Sequence, residues 1–139
     1  MGSQTIHIES RTDRLIAVRE FVSEAARDFG FSDEDVSRIA LAVDEACTNI
    51  IKHAYKFDPT KKITVTVQGG NGAFQVVIQD NGTQFNPDDV QSPNMKEYMK
   101  NYRRGGLGIY LMKSLMDKVE YSIAPGKPNE VRLTKRLTR

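Results

Sequence analysis

At Asp58-Pro59 the spacing of apolar residues changes from helical to alternating, and that change narrows the folds open to the chain more than any other feature. Upstream, Leu15, Val18, Phe21, Val22, Ala25 and Phe29 recur at helical spacing. Ser10-Arg11-Thr12-Asp13 precedes them in the form of a capping box, and Gly30 follows as a natural C-terminal stop. Ser32-Asp33-Glu34-Asp35 repeats the capping pattern and opens a longer helix. Its buried stripe is Val36, Ile39, Ala40, Val43, Cys47, Ile50, Ile51 and Ala54. Downstream, Ile63, Val65 and Val67 face one way, with Thr64 and Thr66 between them. Gly69-Gly70-Asn71-Gly72 reads as a turn and Phe74 to Gln79 as the returning strand. Thr5 to Glu9 alternates weakly, as an edge strand does.

From Thr83 to Arg103 no strand pattern is sustained, and Pro87 and Pro93 interrupt the segment; a short helix near Met95 to Tyr102 fits within it. A structureless stretch of ~20 residues is uncommon in a compact domain and is usually a functional lid or a disordered segment. Helical spacing resumes at Leu107, Leu111, Met112, Leu115 and Met116. Two strands follow, Val119-Tyr121-Ile123 and Val131-Leu133 onward. The order βααββ, lid, αββ predicts one α+β domain over residues 1–139, with the lid at approximately 83–105. The expected architecture is a two-layer sandwich: a mixed, mostly antiparallel sheet with helices on one face.

Composition removes several function classes. A net charge of +2 with no block of like charges gives no ground for direct nucleic-acid binding. No apolar run is long enough to span a membrane. The first residues lack the basic and apolar regions of a signal peptide, and Cys47 has no second cysteine to pair with, so a reducing cytoplasm is the expected compartment. His7, His53 and Cys47 are too scattered for a zinc site.

Three segments carry chemistry. Glu45 and Asn49 lie four residues apart on one helix face, and Lys52 and His53 continue it. A carboxylate can take a proton from an attacking hydroxyl, and an amide oxygen can ligate Mg²⁺ beside phosphates; a solvated polar face fits the same spacing. Asp80-Asn81-Gly82 ends a strand. It reads either as a turn or as an acceptor for an exocyclic amine, with Gly82 leaving room for a base. Gly105-Gly106-Leu107-Gly108 opens an apolar helix whose first amides face a bound anion. Glycines inside a helix start cost roughly 1 kcal/mol each relative to alanine, which close approach to phosphate would explain.

Together these segments resemble the Bergerat ATP-binding fold shared by DNA gyrase, sensor histidine kinases and the mismatch-repair ATPase MutL. Glu45-Ala46-Cys47-Thr48-Asn49-Ile50-Ile51-Lys52-His53-Ala54-Tyr55 resembles its first box, Asp80-Asn81-Gly82 its second and Gly106-Leu107-Gly108-Ile109 its third. Within that superfamily, Leu41 to Asn49 and Gly108 to Asp117 are similar to the bacterial anti-sigma-factor serine/threonine kinases. The resemblance implies a homodimer that binds ATP and Mg²⁺, phosphorylates a serine of a STAS-type anti-anti-sigma partner and sequesters a sigma factor. It implies Glu45 as catalytic base, Asn49 as metal ligand, and Asp80 and Gly82 at adenine. Arg104, Gly105, Gly106, Leu107 and Gly108 would lie at the phosphates.

Two departures stand out. Arg103 and Arg104 replace glycines usual in the family, and with Lys96 and Lys100 they make the lid basic. Pro128-Asn129-Glu130 replaces a Gly-Thr-Thr segment that supports the adenine pocket, and offers no hydroxyl. An ATP-binding regulatory module with little or no kinase activity is therefore the alternative expectation. An isolated histidine-kinase catalytic domain is a third.

Overall fold

In a computed structural model, the structure describes residues 2–82, 108–123 and 126–138. β1 (Gln4–Glu9) leads through a 3-10 turn at Thr12–Arg14 into α1 (Leu15–Phe29) and α2 (Asp33–Asn49). α2 runs on into a π turn, Ile50–Ala54. β2 (Lys62–Gly70) and β3 (Ala73–Asp80) form a hairpin, and α3 (Gly108–Leu115) precedes β4 (Lys118–Ser122) and β5 (Asn129–Arg136). The five strands lie in the order β1-β2-β3-β5-β4. The expected α+β sandwich with a mostly antiparallel sheet is borne out, and every described pairing is antiparallel. The lid at 83–105, its short helix near 95–102, and residues Arg104 to Leu107 lie outside the described residues.

The core forms where the two periodicities meet. Ile63, Val65, Val67, Phe74, Val76, Ile78, Val131 and Leu133 point from the sheet to one side and are all buried. Val18 and Val22 of α1, Ile39 and Val43 of α2, and Met112 of α3 close over them. Phe29, Phe31 and Phe74 pack as an aromatic trio with ring centroids 5.6–5.8 Å apart, at the end where α1 turns into α2. The turn itself needs Gly30, whose φ of 119° lies in the left-handed region.

The opposite sheet face is polar, and its side chains bond across strands. Thr5 meets Thr66 and His7 Nδ1 meets Thr64, each at 3.0 Å; Gln68 donates to Gln75 at 2.9 Å, and Gln79 donates to Glu130 at 3.1 Å. The β2–β3 turn tightens to Asn71-Gly72, with φ of 54° and 75°, because a two-residue hairpin that matches strand twist needs positive φ at both positions.

One expected cap does not form. Residues 10–13 make no side-chain cap: α1 starts at Leu15 from the 3-10 turn, and the Ser10 hydroxyl is buried with no bonding partner. Ser10 is tied instead to the sheet, its N–H donating to Lys61 O at 2.8 Å, so the chain cannot wind into a helix until it has left β1. The second cap is real, with Asp35 N donating to Ser32 Oγ at 3.2 Å.

Candidate functional site

α2 places Glu45 and Asn49 one turn apart at its C-terminal end. Glu45 is half-buried, whereas Asn49 is only 5 % exposed and its Nδ2 has no hydrogen-bond partner. A buried amide donor left unpaired calls for an explanation, and a ligand that completes the site supplies one. Burial pushes the Glu45 carboxyl above the usual glutamate range and the charge of Asp44 adds to the effect, while Lys52 opposes it. Asp44 is itself held by Arg19 of α1, Nε to Oδ1 3.0 Å.

Beyond Asn49 the helix widens. Tyr55 N donates to Ile50 O at 2.9 Å, an i→i+5 bond, and Lys56 and Phe57 then leave with φ of 49° and 64°. π turns of this kind occur often at functional sites. Within this turn His53 is exposed and Lys52 half-buried, and the Lys52 charge still reaches Glu45. The turn also brings Tyr55 inward, to 6 % exposure. The Tyr55 hydroxyl donates to Lys62 O at 2.5 Å and accepts from Asn81 N at 2.8 Å. One side chain thus clasps the helix exit, the start of β2 and the Asp-Asn-Gly segment together. Sequence reasoning left Tyr55 without a role; its only signal was an aromatic just past the helix stripe.

Asp80 ends β3 on the helix-covered face and is 5 % exposed. Its Oδ1 accepts from Gly82 N at 2.8 Å and from Asn129 Nδ2 at 3.0 Å. Gly82 is compelled by packing: a Cβ there would stand 2.6 Å from Ala54 O, so the segment lies directly against the backbone of the helix exit. The structure thus sets Gly82, and with it the end of β3, against the exit of the helix that carries Glu45 and Asn49. Gly108 opens α3, which packs on α2.

Asn129 is the residue the sequence reading undervalued. The segment at 128–130 offers no hydroxyl, yet Asn129 stands directly opposite Asp80 in the β3–β5 register and binds it with an amide. A second bond runs from Asn129 Nδ2 to Gly82 O at 3.1 Å. The support expected to be missing is supplied by different chemistry.

Burial raises the Asp80 carboxyl against the lowering effect of those two donors. A carboxylate whose native pKa lies above its unfolded value binds protons more readily when folded. Its charge therefore costs stability as pH rises from the unfolded Asp value of about 3.9 to the raised native value, and at all higher pH. Asp80→Asn is expected to raise the melting temperature of the nucleotide-free protein at neutral pH. Its advantage over the parent should shrink as pH falls through that window, and nucleotide affinity should be lost. Melting curves across pH, paired with nucleotide titration, check both signs.

With this geometry in place, the description of the histidine kinase-like ATPase domain matches residues 8–135. The chain belongs to that family, in its serine-protein kinase branch. The serine-protein kinase RsbW of Bacillus licheniformis is 36% identical over 126 residues, covering 88% of this chain and 78% of that protein. RsbW of Bacillus subtilis (strain 168) is 32% identical over 107 residues, covering 73% and 66%. A crystal structure of the RsbU and RsbW domains of a Mycobacterium tuberculosis protein superposes with a TM-score of 0.70 at 19% identity. It covers all of this chain and 33% of that one, and shows the shared fold. The expected superfamily, its serine-kinase branch and the ATP-dependent class of activity are borne out. No described helix of this kinase is long and apolar enough to cross a membrane.

Cys47 needs no function. It is fully buried on the α2 stripe, and burial pushes its thiol up to about 12, far from a reactive thiolate.

Proposed function

We propose that this kinase binds Mg-ATP between α2, the Asp80–Gly82 segment and the start of α3, and passes the γ-phosphoryl group in line to a serine hydroxyl of a STAS-type anti-anti-sigma partner. In its other state it sequesters a sigma factor, and it acts as a homodimer in the cytoplasm. The observation that supports this most directly is Asn49, buried with an unpaired amide one turn from a half-buried carboxylate.

Among the described residues no cluster of three His, Cys, Asp or Glu could hold a metal. Mg²⁺ needs no such cluster, because it keeps several waters and is held by one or two protein oxygens plus substrate phosphates. The Asn49 carbonyl oxygen would be the protein ligand, while its unpaired Nδ2, a donor, would be left to meet a phosphate oxygen. When bound, the ion would supply neutralisation of phosphate charge. Glu45 then has one task, to take the proton from the seryl oxygen as it attacks. Its raised basicity suits that task, because a stronger base accepts the proton more fully. Asp80 accepts from the exocyclic amine of adenine. By the family resemblance, Arg104, Gly105, Gly106, Leu107 and Gly108 would lie at the phosphates. Gly82 keeps the base-binding segment against α2.

The binding-module alternative drew on the unusual segment at 128–130. The Asn129–Asp80 bond offers a different support at that segment, and the likeness to serine-protein kinases favours the kinase reading. Calorimetric titration with ATP, with and without Mg²⁺, on the parent and on Asn49→Ala tests it. Saturable, magnesium-dependent binding in the parent is expected, weakened at least ~10-fold in the variant by loss of a charge-assisted contact. Equal binding by the two proteins would exclude Asn49 from the site.

A further inference from the structure

Asn129 carries an unused polar atom. The residue is 8 % exposed, and its Oδ1 is buried with no hydrogen-bond partner. The orientation of the amide is not arbitrary. Both groups within reach of Nδ2, Asp80 Oδ1 and Gly82 O, are acceptors, and Asp80 Oδ1 also takes the Gly82 N–H. Turning the amide over would set oxygen against oxygen twice, so the NH₂ end must face Asp80 and the carbonyl end must face away. An acceptor in that position is desolvated and lacks a donor.

The strand register explains why it sits beside the base-binding carboxylate. Val76 pairs with Leu133, Ile78 with Val131, and Asp80 with Asn129. The first two pairs are buried core on the helix-covered face, and side chains alternate along a strand. Asp80 and Asn129 therefore continue the same face as the next rung, where the apolar rows give way to polar atoms.

Resting on the nucleotide reading above, we propose that Asn129 Oδ1 is a second base-reading acceptor, which takes the other hydrogen of the exocyclic amine bound by Asp80. An NH₂ group has two hydrogens, and a pair of acceptors fixed to one another by the Nδ2–Oδ1 bond accommodates both. A keto oxygen at the same position of a purine would face two acceptors and no donor. The pair thus selects an amine-bearing base by attraction and rejects a keto base by leaving buried acceptors unpaired.

The test uses ATP and N6-methyl-ATP, which keeps one amine hydrogen, titrated into the whole chain and into Asn129→Ala. In the parent the methylated nucleotide binds ~10-fold or more weakly, since one buried acceptor loses its donor. In Asn129→Ala the two nucleotides bind alike. A merely structural role for Asn129, holding Asp80 in place, lowers affinity for both nucleotides and leaves their ratio unchanged; that result overturns the inference. Asn129→Thr, which retains a hydroxyl for Asp80, gives the same comparison if the alanine variant does not fold. Should the parent bind neither nucleotide, the nucleotide reading itself fails and takes this inference with it. Should ATP bind with an unchanged ratio, only the inference falls.

Discussion

Glu45→Gln is expected to slow phosphoryl transfer by about 10²–10⁴-fold, the range a positioned general base contributes, while nucleotide affinity is retained. Glutamine has nearly the same shape and cannot take a proton. Glu45 is half-buried and its carboxyl is raised by burial and by Asp44, so the native site tolerates a neutral side chain there without loss of stability. The same raised basicity gives the parent a pH signature. Transfer should fall as pH drops through the native Glu45 value, which lies above the ordinary glutamate range, and the variant should lack that limb. Single-turnover transfer of labelled phosphate to a partner serine, measured across pH for both proteins, reads rate and signature together. Transfer at the parent rate would remove Glu45 from the mechanism.

Phe74→Ala is expected to destabilise the domain by about 3–5 kcal/mol, the usual cost of deleting a fully buried aromatic ring. Phe74 has no exposed surface and sits in contact with Phe29 and Phe31. Its loss opens a cavity where the α1–α2 turn meets the sheet. Against a typical total stability of about 5–15 kcal/mol the change is large. It also lies at the opposite end of β3 from Asp80, so the site geometry should survive in the folded fraction. Denaturant titration should show a lowered midpoint with unchanged slope, and nucleotide affinity measured well below the midpoint should match the parent. A lost affinity under those conditions would mean that the core and the site are coupled along β3.

Much of this molecule can be read from local pattern. The two helical stripes, the alternation after Asp58-Pro59 and the Asn71-Gly72 turn are short-range signals, and each became the element expected. The candidate site residues stand out in the sequence for a related reason. Glu45 and Asn49 are a helical repeat apart, and Asp80-Asn81-Gly82 ends a strand, so the sequence spacing already states their relation. Where a local signal had a rival, it failed. The capping pattern at Ser10 lost to a sheet bond from its own backbone, which no window of a few residues contains.

Amino-acid sequence by itself determined the element order, the apolar faces and the family, because periodicity, residue type and short motifs are local properties. Tertiary structure alone decided how the candidate site residues are held. The π turn that brings Tyr55 onto Asn81 depends on what packs around the end of α2, where α-helical and π bonding differ by one residue. The pairing of Asp80 with Asn129, 49 residues away, depends on the β3–β5 register. A one-residue slip would turn every side chain of β5 to the other face. Register is set by burial of Val131 and Leu133 against the helices, so the amide that holds Asp80 is placed by the core.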